Sequence, residues 1–467
     1  MSPGPGSLAP LRHAAFRYLA AGRLVTSLGN AVAPIALAFA VLDLTGSTRD
    51  LGLVVAARSA AMAVFLLFGG VVADRMPRQV VLVVSGVLAG LSQAAVAAMV
   101  LTHTASVGRL VVFAAVNGTV SAFTFPAGAA LVAQTVPAAI GRQANALNRL
   151  GTNTALIAGS SLGGLLVAAF GSGWGLAIDA VTFLVATVLY GLIRVPDYRT
   201  AGEPRDNPLR DLRAGWREFV AHTWVWVVVL GFCFFNAAWV GGFNVLGPAV
   251  ADATFGRTAW GLVLAAQTAG MVAGGLVAMR LRVRRLLLLG VVCCALSCLS
   301  LAALAVAPVA TVLVAISFLA GVGTEQFAVA WGSSLQEHIP ADKLARVYSY
   351  DALGSFVAIP AGQVAAGPLA AVVGTRAALL LAAGVAGLSV AGMLASRSVR
   401  RLVHTPSVDG GLLGGLAQSG APPLLDAAQP PDGDGHAPHE HEHHHDPVAD
   451  LVEIQPADPA PDPAGQV

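Results

Sequence analysis

Twelve long apolar runs constrain the fold of this chain more than any other feature of its sequence. Each has about 20 residues, the length at which a helix crosses the hydrocarbon core of a bilayer, and each is bounded by charged or turn residues. Only 11% of the 467 residues are charged, whereas a soluble globular chain carries about 25%. The runs cover residues 19–42, 51–73, 80–101, 110–132, 150–170, 176–193, 224–248, 260–278, 286–306, 309–331, 352–373 and 377–395. The sequence therefore predicts an all-α membrane protein with twelve transmembrane helices.

The basic residues predict the orientation of these helices. Most of the 27 Lys and Arg residues lie in the N-terminus, in the even-numbered connections and at the start of the tail. Because basic residues stay on the cytoplasmic side of a membrane, both termini are expected in the cytoplasm. A high content of Ala, Gly and Arg with a single Lys is typical of GC-rich bacterial genomes. We therefore expect a multi-pass protein of the bacterial cytoplasmic (inner) membrane.

An internal repeat divides the chain into two halves. The stretch "GLVVAARSAAM" begins at Gly52 and "GLVLAAQTAGM" begins at Gly261, and seven of the eleven positions are identical. A second set of positions recurs 203 residues later: Pro137, Leu150, Gly151, Gly159, Gly164 and Gly171 correspond to Pro340, Leu353, Gly354, Gly362, Gly367 and Gly374. Such duplication is typical of transporters with parallel six-helix repeats, whose substrate pathway lies between the halves near the midplane. It predicts two pseudo-symmetric six-helix halves.

A linker and a tail complete the predicted organisation. The N-terminal half covers residues 1–194, the cytoplasmic linker 195–222, the C-terminal half 223–404 and the tail 405–467. In the linker, apolar residues recur at helical spacing among charged ones, at Leu209, Leu212, Trp216 and Phe219. This pattern predicts an amphipathic interfacial helix, and the alternative is a solvated linker. The tail is rich in Pro, Gly, Ala, Asp and His, a composition that predicts a disordered cytoplasmic segment.

The connection between the second and third runs reads "GGVVADRMPRQ" (Gly69 to Gln79) and carries the pattern Gly70-x-x-x-Asp74-Arg75-x-x-Arg78. With twelve helices in two halves, this resembles the signature of the major facilitator superfamily. The stretch "GRLVTSLGNAVAPIALAFAVLDLTGS" is similar to the branch of the enterobactin exporter and of the macrolide and multidrug efflux proteins. The resemblance implies alternating access, with the signature residues gating between the halves. The alternative is that the two arginines only set the topology.

The sequence departs from this family pattern in three places. Gln79 stands where the family usually has a basic residue, and Met279 replaces the acid in the second copy of the signature, "GGLVAMR". In "AGSSLGG", Gly159, Gly163 and Gly164 are similar to the antiporter motif of the family, but a serine stands where its proline would be. That resemblance implies antiport and hence export, whereas close helix packing is the alternative explanation of the glycines.

Ionisable residues inside the apolar runs are the candidates for coupling. A charge at the centre of a membrane helix costs roughly 2.5 to 3.5 kcal/mol on insertion scales, so each requires an explanation. Glu325 lies in the middle of the tenth run and is a candidate proton-coupling site, or else a structural pair with Arg58. Asp179 is a weaker candidate, because near the outer end of the sixth run it can simply face water.

Two further charges, Arg149 and Asp351, open the fifth and eleventh runs at nearly equivalent places of the repeat. We expect them to pair across the halves as a cytoplasmic gate. Candidates for the substrate cavity are Asn30, Arg58, Asn236 and Trp239.

The tail stretch "HAPHEHEHHHD" is a weak candidate for metal binding, through His436, His439, His441, His443, His444 and His445. A flexible tail does not form the closed geometry of a dedicated site, and we favour a low-complexity segment that scavenges metal at most.

These features predict a secondary active transporter, a proton-coupled exporter of small amphiphilic molecules such as drugs, antibiotics or siderophores, acting as a monomer. Alternatives are proton-coupled nutrient uptake, metal export aided by the tail, and a non-transporting receptor on the same fold. Because the sequence has no phosphate-binding Gly-Lys loop, we expect neither an enzyme nor an ATP-driven pump, and neither a cofactor nor a nucleic-acid partner.

Overall fold

The computed structural model of the chain describes residues 8–137, 140–194, 216–281 and 283–403; in these ranges the side chains at 66–75, 125, 126, 129, 130, 133, 142, 341, 342, 345, 346 and 349 are not described. The first six long helices are α1 (Ala14–Thr45), α2 (Thr48–Arg75), α3 (Arg78–Leu101), α4 (Val107–Gln134), α5 (Gly141–Phe170) and α6 (Ser172–Gly191). The second six are α7 (Thr223–Ala253), α8 (Arg257–Ala278), α9 (Leu286–Val306), α10 (Ala310–His338), α11 (Ala341–Phe356 and Ile359–Val373) and α12 (Thr375–Ala395).

The predicted all-helical membrane fold is confirmed. Within the described residues, eleven helices are long and apolar enough to cross a membrane, and the 28-residue α2 completes the set of twelve. Each predicted run corresponds to one of these helices, with ends that agree to within two residues where the run extends past the helix. The fold is therefore the expected bundle, in which α1–α6 form the N-terminal half and α7–α12 the C-terminal half.

Several helices extend well beyond their apolar runs. Helix α5 begins at Gly141 and the first segment of α11 at Ala341, so Arg149 and Asp351 lie two or more turns inside their helices. The prediction that these residues open the helices is wrong. Polar residues can continue a helix past the hydrocarbon core, because a helix satisfies its own backbone hydrogen bonds whether lipid or water surrounds it.

Three helices of the C-terminal half are interrupted. Helix α7 contains a π-helical turn at Gly241–Leu246, and α9 has a break at Cys294. Helix α11 breaks between Phe356 and Ile359, directly before Pro360. Proline has no N–H to donate and its ring clashes with the preceding turn, so the helix restarts with this proline in its first turn.

The two ends of the bundle differ in charge and in contacts between the halves. We call the end with the α2–α3 connection and the start of α1 the basic face, and the other end the opposite face. The halves meet where α2 packs on the second segment of α11 and where α5 packs on α8. These crossings involve the start of α2 and the start of α8, so they lie toward the opposite face.

The repeated glycines explain these crossings. A Cβ at Gly52 of α2 would overlap the backbone carbonyl of Gln363 in α11, and a Cβ at Gly261 of α8 would overlap that of Ser160 in α5. The two contacts are related by the internal repeat, since Gly52 matches Gly261 and Ser160 lies 203 residues before Gln363. The sequence repeat therefore marks where the backbones of the two halves touch.

The linker ends in a short helix at residues 216–221 that packs on α11. Phe219 is buried, and the rings of Trp216 and Tyr350 meet edge to face at 5.5 Å between centroids. Lys343 Nζ lies 2.9 Å from Glu218 Oε2. The apolar side of this helix thus contacts the protein. Leu209 and Leu212 of the predicted amphipathic helix lie outside the described residues.

Candidate substrate cavity and gates

Two adjoining cavities lie among the helices of the N-terminal half. The larger has a volume of about 310 Å³ and is lined by residues of α1, α2, α3, α4 and α6. The smaller, of about 20 Å³, lies beside it. Both are lined by Asn30, Arg58 and Phe183. Two of the predicted cavity residues, Asn30 and Arg58, therefore lie at a cavity of a size that suits small ligands.

A charged pair lies in the wall of the smaller cavity. Arg58 of α2 and Asp179 of α6 interact electrostatically without forming a salt bridge, and Asp179 is only 2% exposed. Asp179 Oδ1 has no hydrogen-bond partner. The expectations that Arg58 pairs with Glu325 and that Asp179 faces water are wrong, because α6 packs this carboxylate against α1.

Two glycines position this pair. A Cβ at Gly29 of α1 would overlap both the Asp179 carboxylate and the Thr182 hydroxyl, so only glycine lets α6 come this close. In the same way, Gly118 of α4 lies against the backbone carbonyl of Arg58. Small residues are the usual means by which membrane helices approach each other, and here they bring two charges to one cavity.

Buried amides surround the pair and were missed by the sequence analysis. The Asn117 side-chain nitrogen donates to Ser92 Oγ at 3.0 Å and to Gln93 Oε1 at 3.3 Å. Gln93 and Asn117 both line the smaller cavity. The available signal was an amide in the middle of the third and of the fourth apolar run, since such side chains inside membrane helices usually serve packing or a polar pathway.

At its basic-face end the larger cavity is bounded by Tyr190, whose hydroxyl lies 3.4 Å from Thr26 Oγ1. Arg23 interacts electrostatically with Tyr190. The Gln79 side-chain nitrogen donates to the Tyr190 carbonyl at 3.0 Å. Gln79, which departs from the family pattern, thus ties the start of α3 to the end of α6.

Glu325 lies in the C-terminal half, far along the chain from the cavity residues but next to the boundary between the halves. It is half-buried on α10, and its Cβ lies 3.0 Å from the position that a Cβ would take at Gly274 of α8. Its electrostatic partner is Arg149 of α5, in the other half, and no salt bridge joins these two described residues. The second copy of the signature, which begins at Gly274, thus provides the space that Glu325 occupies.

The structure does not bring Arg149 and Asp351 together as predicted. Asp351 accepts hydrogen bonds from Trp331 Nε1 at 2.9 Å and from Ser355 Oγ at 3.1 Å. Both partners belong to the C-terminal half, which holds Asp351 in place there. Arg149 faces Glu325 instead, because α10 rather than α11 presents a carboxylate to α5.

The other gate candidates lie at the end of α2 and the start of α3. Gly70, Asp74 and Arg75 are in the last turns of α2, where the side chains are outside the described set, and Arg78 is the first residue of α3. Their gating role stays a prediction.

The glycines of the antiporter-like motif are packing residues in this structure. A Cβ at Gly159 or Gly163 would press on α1, at Leu28 and Val32 respectively. A Cβ at Gly164 would overlap α8 at Gly261. These contacts favour the packing explanation, and a role in antiport stays a prediction.

The remaining cavity candidates, Asn236 and Trp239, do not line either cavity of the N-terminal half. The Asn236 side-chain nitrogen donates to the Ser355 carbonyl at 2.9 Å, which joins α7 to α11. The Trp239 ring stacks on Phe243 with 5.0 Å between centroids, and its Nε1 is buried without a hydrogen-bond partner. Both residues contribute to packing within the C-terminal half.

A charge cluster that joins the halves at the opposite face was also missed. Arg257, at the start of α8, donates from Nη1 to Asp43 Oδ2 of α1 at 3.0 Å and from Nε to Asp252 Oδ1 at 2.7 Å. Its guanidinium lies 4.6 Å from the centre of the Phe39 ring. In the sequence each of these charges is only a residue near a loop, so nothing indicated that they meet. We call Arg257, Asp43 and Asp252 the opposite-face latch.

The described part of the chain contains no cluster of side chains with the geometry of a metal site. There, no group of three or more His, Cys, Asp or Glu side chains is placed to hold a metal ion. The four cysteines are free thiols. The histidines predicted as weak metal ligands, His436 to His445, lie outside the described residues.

Known proteins share this architecture. The model of the transmembrane secretion effector family matches residues 5–409. Enterobactin exporters EntS from Shigella boydii serotype 18 and from Escherichia coli are 29% identical over 246 residues, which is 51% of this chain and 57% of theirs. The chain thus aligns with little more than half the length of these curated relatives.

Solved structures extend the similarity of fold over most of the chain. A mutant of the nucleoside transporter NupG is 14% identical, with a TM-score of 0.67 over 82% of this chain and 99% of its own. A bacterial homologue of the lysosomal transporter Spinster is 16% identical, with a TM-score of 0.65 over 84% of this chain and 98% of its own. The chain is a multi-pass membrane protein, and it belongs to the transmembrane secretion effector family of the major facilitator superfamily.

Proposed function

We propose that this chain is a proton-coupled antiporter that exports small amphiphilic molecules across the bacterial cytoplasmic membrane, as a monomer with both termini in the cytoplasm. The observation that carries the proposal is a cavity of about 310 Å³ with a charged residue, Arg58, in its wall, inside one half of the two-half fold. A buried charge in a membrane protein is expensive to keep and is a functional hypothesis by default. The similarity to enterobactin exporters supports the direction of transport.

Contacts between the halves support a conformation open to the cytoplasm. The glycine crossings and the opposite-face latch all join the halves at the opposite face. At the basic face, Glu325 and Arg149 belong to different halves and interact without a salt bridge. With the basic face in the cytoplasm, as the distribution of basic residues predicts, the cavity loads its cargo from inside the cell.

Glu325 is the proposed coupling residue. When ionised, it can approach Arg149 and help to close the basic face, because opposite charges attract strongly where little water separates them. When it takes up a proton from the outside, that attraction is lost and the basic face reopens. The transporter therefore moves outward with cargo when Glu325 is ionised and returns inward when Glu325 is protonated. This exclusive use of cargo and proton is what antiport requires. Asp179 serves in this scheme as the counter-ion of Arg58.

Everted membrane vesicles test the proposal. Vesicles from a pump-deficient host, with the interior acidified, should accumulate a neutral probe such as N-phenylnaphthylamine or an anionic one such as naphthaleneacetate only when the protein is present. Glu325→Gln should abolish accumulation driven by the pH gradient while exchange of labelled for unlabelled probe continues, because exchange needs no proton.

Asp179→Asn is the matched control with the neutral probe, since it removes another membrane carboxylate but should leave the proton step in place. Normal gradient-driven accumulation by Glu325→Gln would refute the coupling assignment. Probe movement in the reverse direction, out of everted vesicles, would show that the protein takes up nutrients rather than exporting its substrate.

A further inference from the structure

We infer that the cavity of the N-terminal half binds lipophilic organic monoanions, with Arg58 as the anchor for the anionic group of the cargo. The inference rests on the proposed function for its transport consequence, but the binding site itself is argued from the cavity. It assigns a chemical class to the substrate, namely a small apolar body that carries one carboxylate.

The larger cavity contains a cation without a matching carboxylate. Arg58 lines both cavities, whereas Asp179 lines only the smaller one. Among the described lining residues of the larger cavity, Arg58 is the only charged side chain. A ligand in that space therefore contacts a positive charge and no negative one, which disfavours a cationic amphiphile.

The guanidinium also has unused hydrogen-bond donors. Of the residues that the structure describes, none forms a salt bridge with Arg58, and the interaction with Asp179 acts through space. A guanidinium carries five N–H donors in a planar fork that matches a carboxylate, so an incoming carboxylate can form two parallel hydrogen bonds. Such charge-assisted bonds are roughly twice as strong as neutral ones.

The rest of the larger cavity suits an apolar body with a few polar groups. Its wall includes the side chains of Met62, Leu82, Val120 and Phe183. Thr26, Ser121, Thr124 and Tyr190 add hydroxyl-bearing side chains to the lining. A mainly apolar pocket with a few placed polar groups is the usual form of a small-molecule site.

A second basic residue, Arg23, lies beside Tyr190 on the basic-face side of the larger cavity. Arg23 interacts electrostatically with Tyr190, which lines the larger cavity. Its guanidinium is close to α4, because Nη2 would lie 2.6 Å from a Cβ at Gly128. Two successive cations along one path raise the local concentration of anions.

Binding to the purified full-length protein in lipid nanodiscs tests this site. Tritiated naphthaleneacetate should bind, and unlabelled acid should displace it at least about tenfold better than naphthaleneacetamide, which has the same body without the charge. Arg58→Gln should remove this preference and leave the weak amide binding as it is. Asp179→Asn should strengthen binding of the acid several-fold, because it removes the anion that competes for Arg58.

Two controls keep the result interpretable. Arg109→Gln removes an exposed arginine at the opposite face and should change neither ligand. If Arg58→Gln does not fold with Asp179 left unpaired, the double variant Arg58→Gln with Asp179→Asn removes both charges and should also lose the preference for the acid.

Equal displacement by acid and amide, retained acid preference in the double variant, or no binding of naphthaleneacetate would each overturn the inference. Acid-selective binding without gradient-driven accumulation would refute the proposed transport function but support the anion-binding site. Equal accumulation of the acid and the amide would support the proposed transport function but refute the anion-binding site.

Discussion

At the scale of single residues, the geometry of the charged pair depends on a position with no side chain. Gly29 of α1 faces the carboxylate of Asp179 and the hydroxyl of Thr182. One added methyl group there must displace both groups, since the space is already filled. The charge in the cavity wall is therefore held in place by packing as much as by attraction.

We expect Gly29→Ala to lower the initial rate of vesicle accumulation several-fold at unchanged membrane level, because the displaced Asp179 and Thr182 side chains change the shape of the cavity wall. The added methyl should also cost about 1–3 kcal/mol in stability, the usual range for overpacking. Initial rates normalised to immunoblotted protein measure the first effect. Gly392→Ala is the control, because a Cβ there meets no atom within 4 Å. Equal rates for the two variants would contradict the packing argument.

The charged residues of the site are recognisable in the sequence, but their partners are not. Arg58 and Asp179 stand out in apolar runs, because a charge there is costly. Which charges meet depends on which helices are neighbours, and neither hydropathy nor spacing along the chain contains that information. Arg257 and Asp43 illustrate the same limit, since each lies at a helix end where a charge is ordinary.

At the scale of helices, the closed opposite face depends on two backbone crossings. Gly261 of α8 and Gly52 of α2 each lie against a backbone carbonyl of the other half. A carbonyl oxygen of a helix cannot rotate away as a side chain does. Any Cβ at either position must therefore separate the two helices.

We expect Gly261→Ala to move α8 away from α5 and to increase the population that is open at the opposite face. Pulsed electron resonance distances between spin labels at the opposite-face ends of α5 and α8 measure the change. Gly384→Ala in α12, where a Cβ meets nothing within 4 Å, should leave the distance distribution as in the parent. An unchanged distribution in Gly261→Ala would show that the crossing does not control closure.

Much of this element-level organisation was predictable from the sequence. The repeat that begins at Gly52 and Gly261 indicated two halves, and the same glycines form the contact between them. The π-helical turn at Gly241–Leu246 and the early start of α5 at Gly141 were not predictable. Both depend on packing and on polar helix turns outside the apolar runs, whereas hydropathy reports only burial in lipid.

At the scale of the whole molecule, the opposite-face latch biases the equilibrium between the two conformations. The side chains of Arg257 and Asp43 are partly exposed, at 22% and 43%. Exposed ion pairs contribute roughly 0–1 kcal/mol, and salt screens them. The latch can therefore tune the equilibrium but cannot fix it.

We expect Arg257→Gln to raise the population open at the opposite face by at most about fivefold, which corresponds to about 1 kcal/mol. A cysteine at Ala251, which is buried next to Asp252, is introduced after the four native cysteines are replaced and should react faster with an impermeant maleimide in this variant. The difference from the parent should shrink at high salt. A salt-independent difference would mean that packing on Phe39, rather than charge, holds the halves together.

The two halves carry unequal chemistry despite their common pattern. Gln267 takes the place of Arg58 in the repeated stretch, and Ala382 lies 203 residues after Asp179. The helices that hold the charged pair, α1, α2, α4 and α6, all belong to the N-terminal half. When the halves rotate relative to each other, the pair should move with the N-terminal half as a rigid unit, so that the distances within the pair stay constant. What changes is the side of the membrane from which water reaches it.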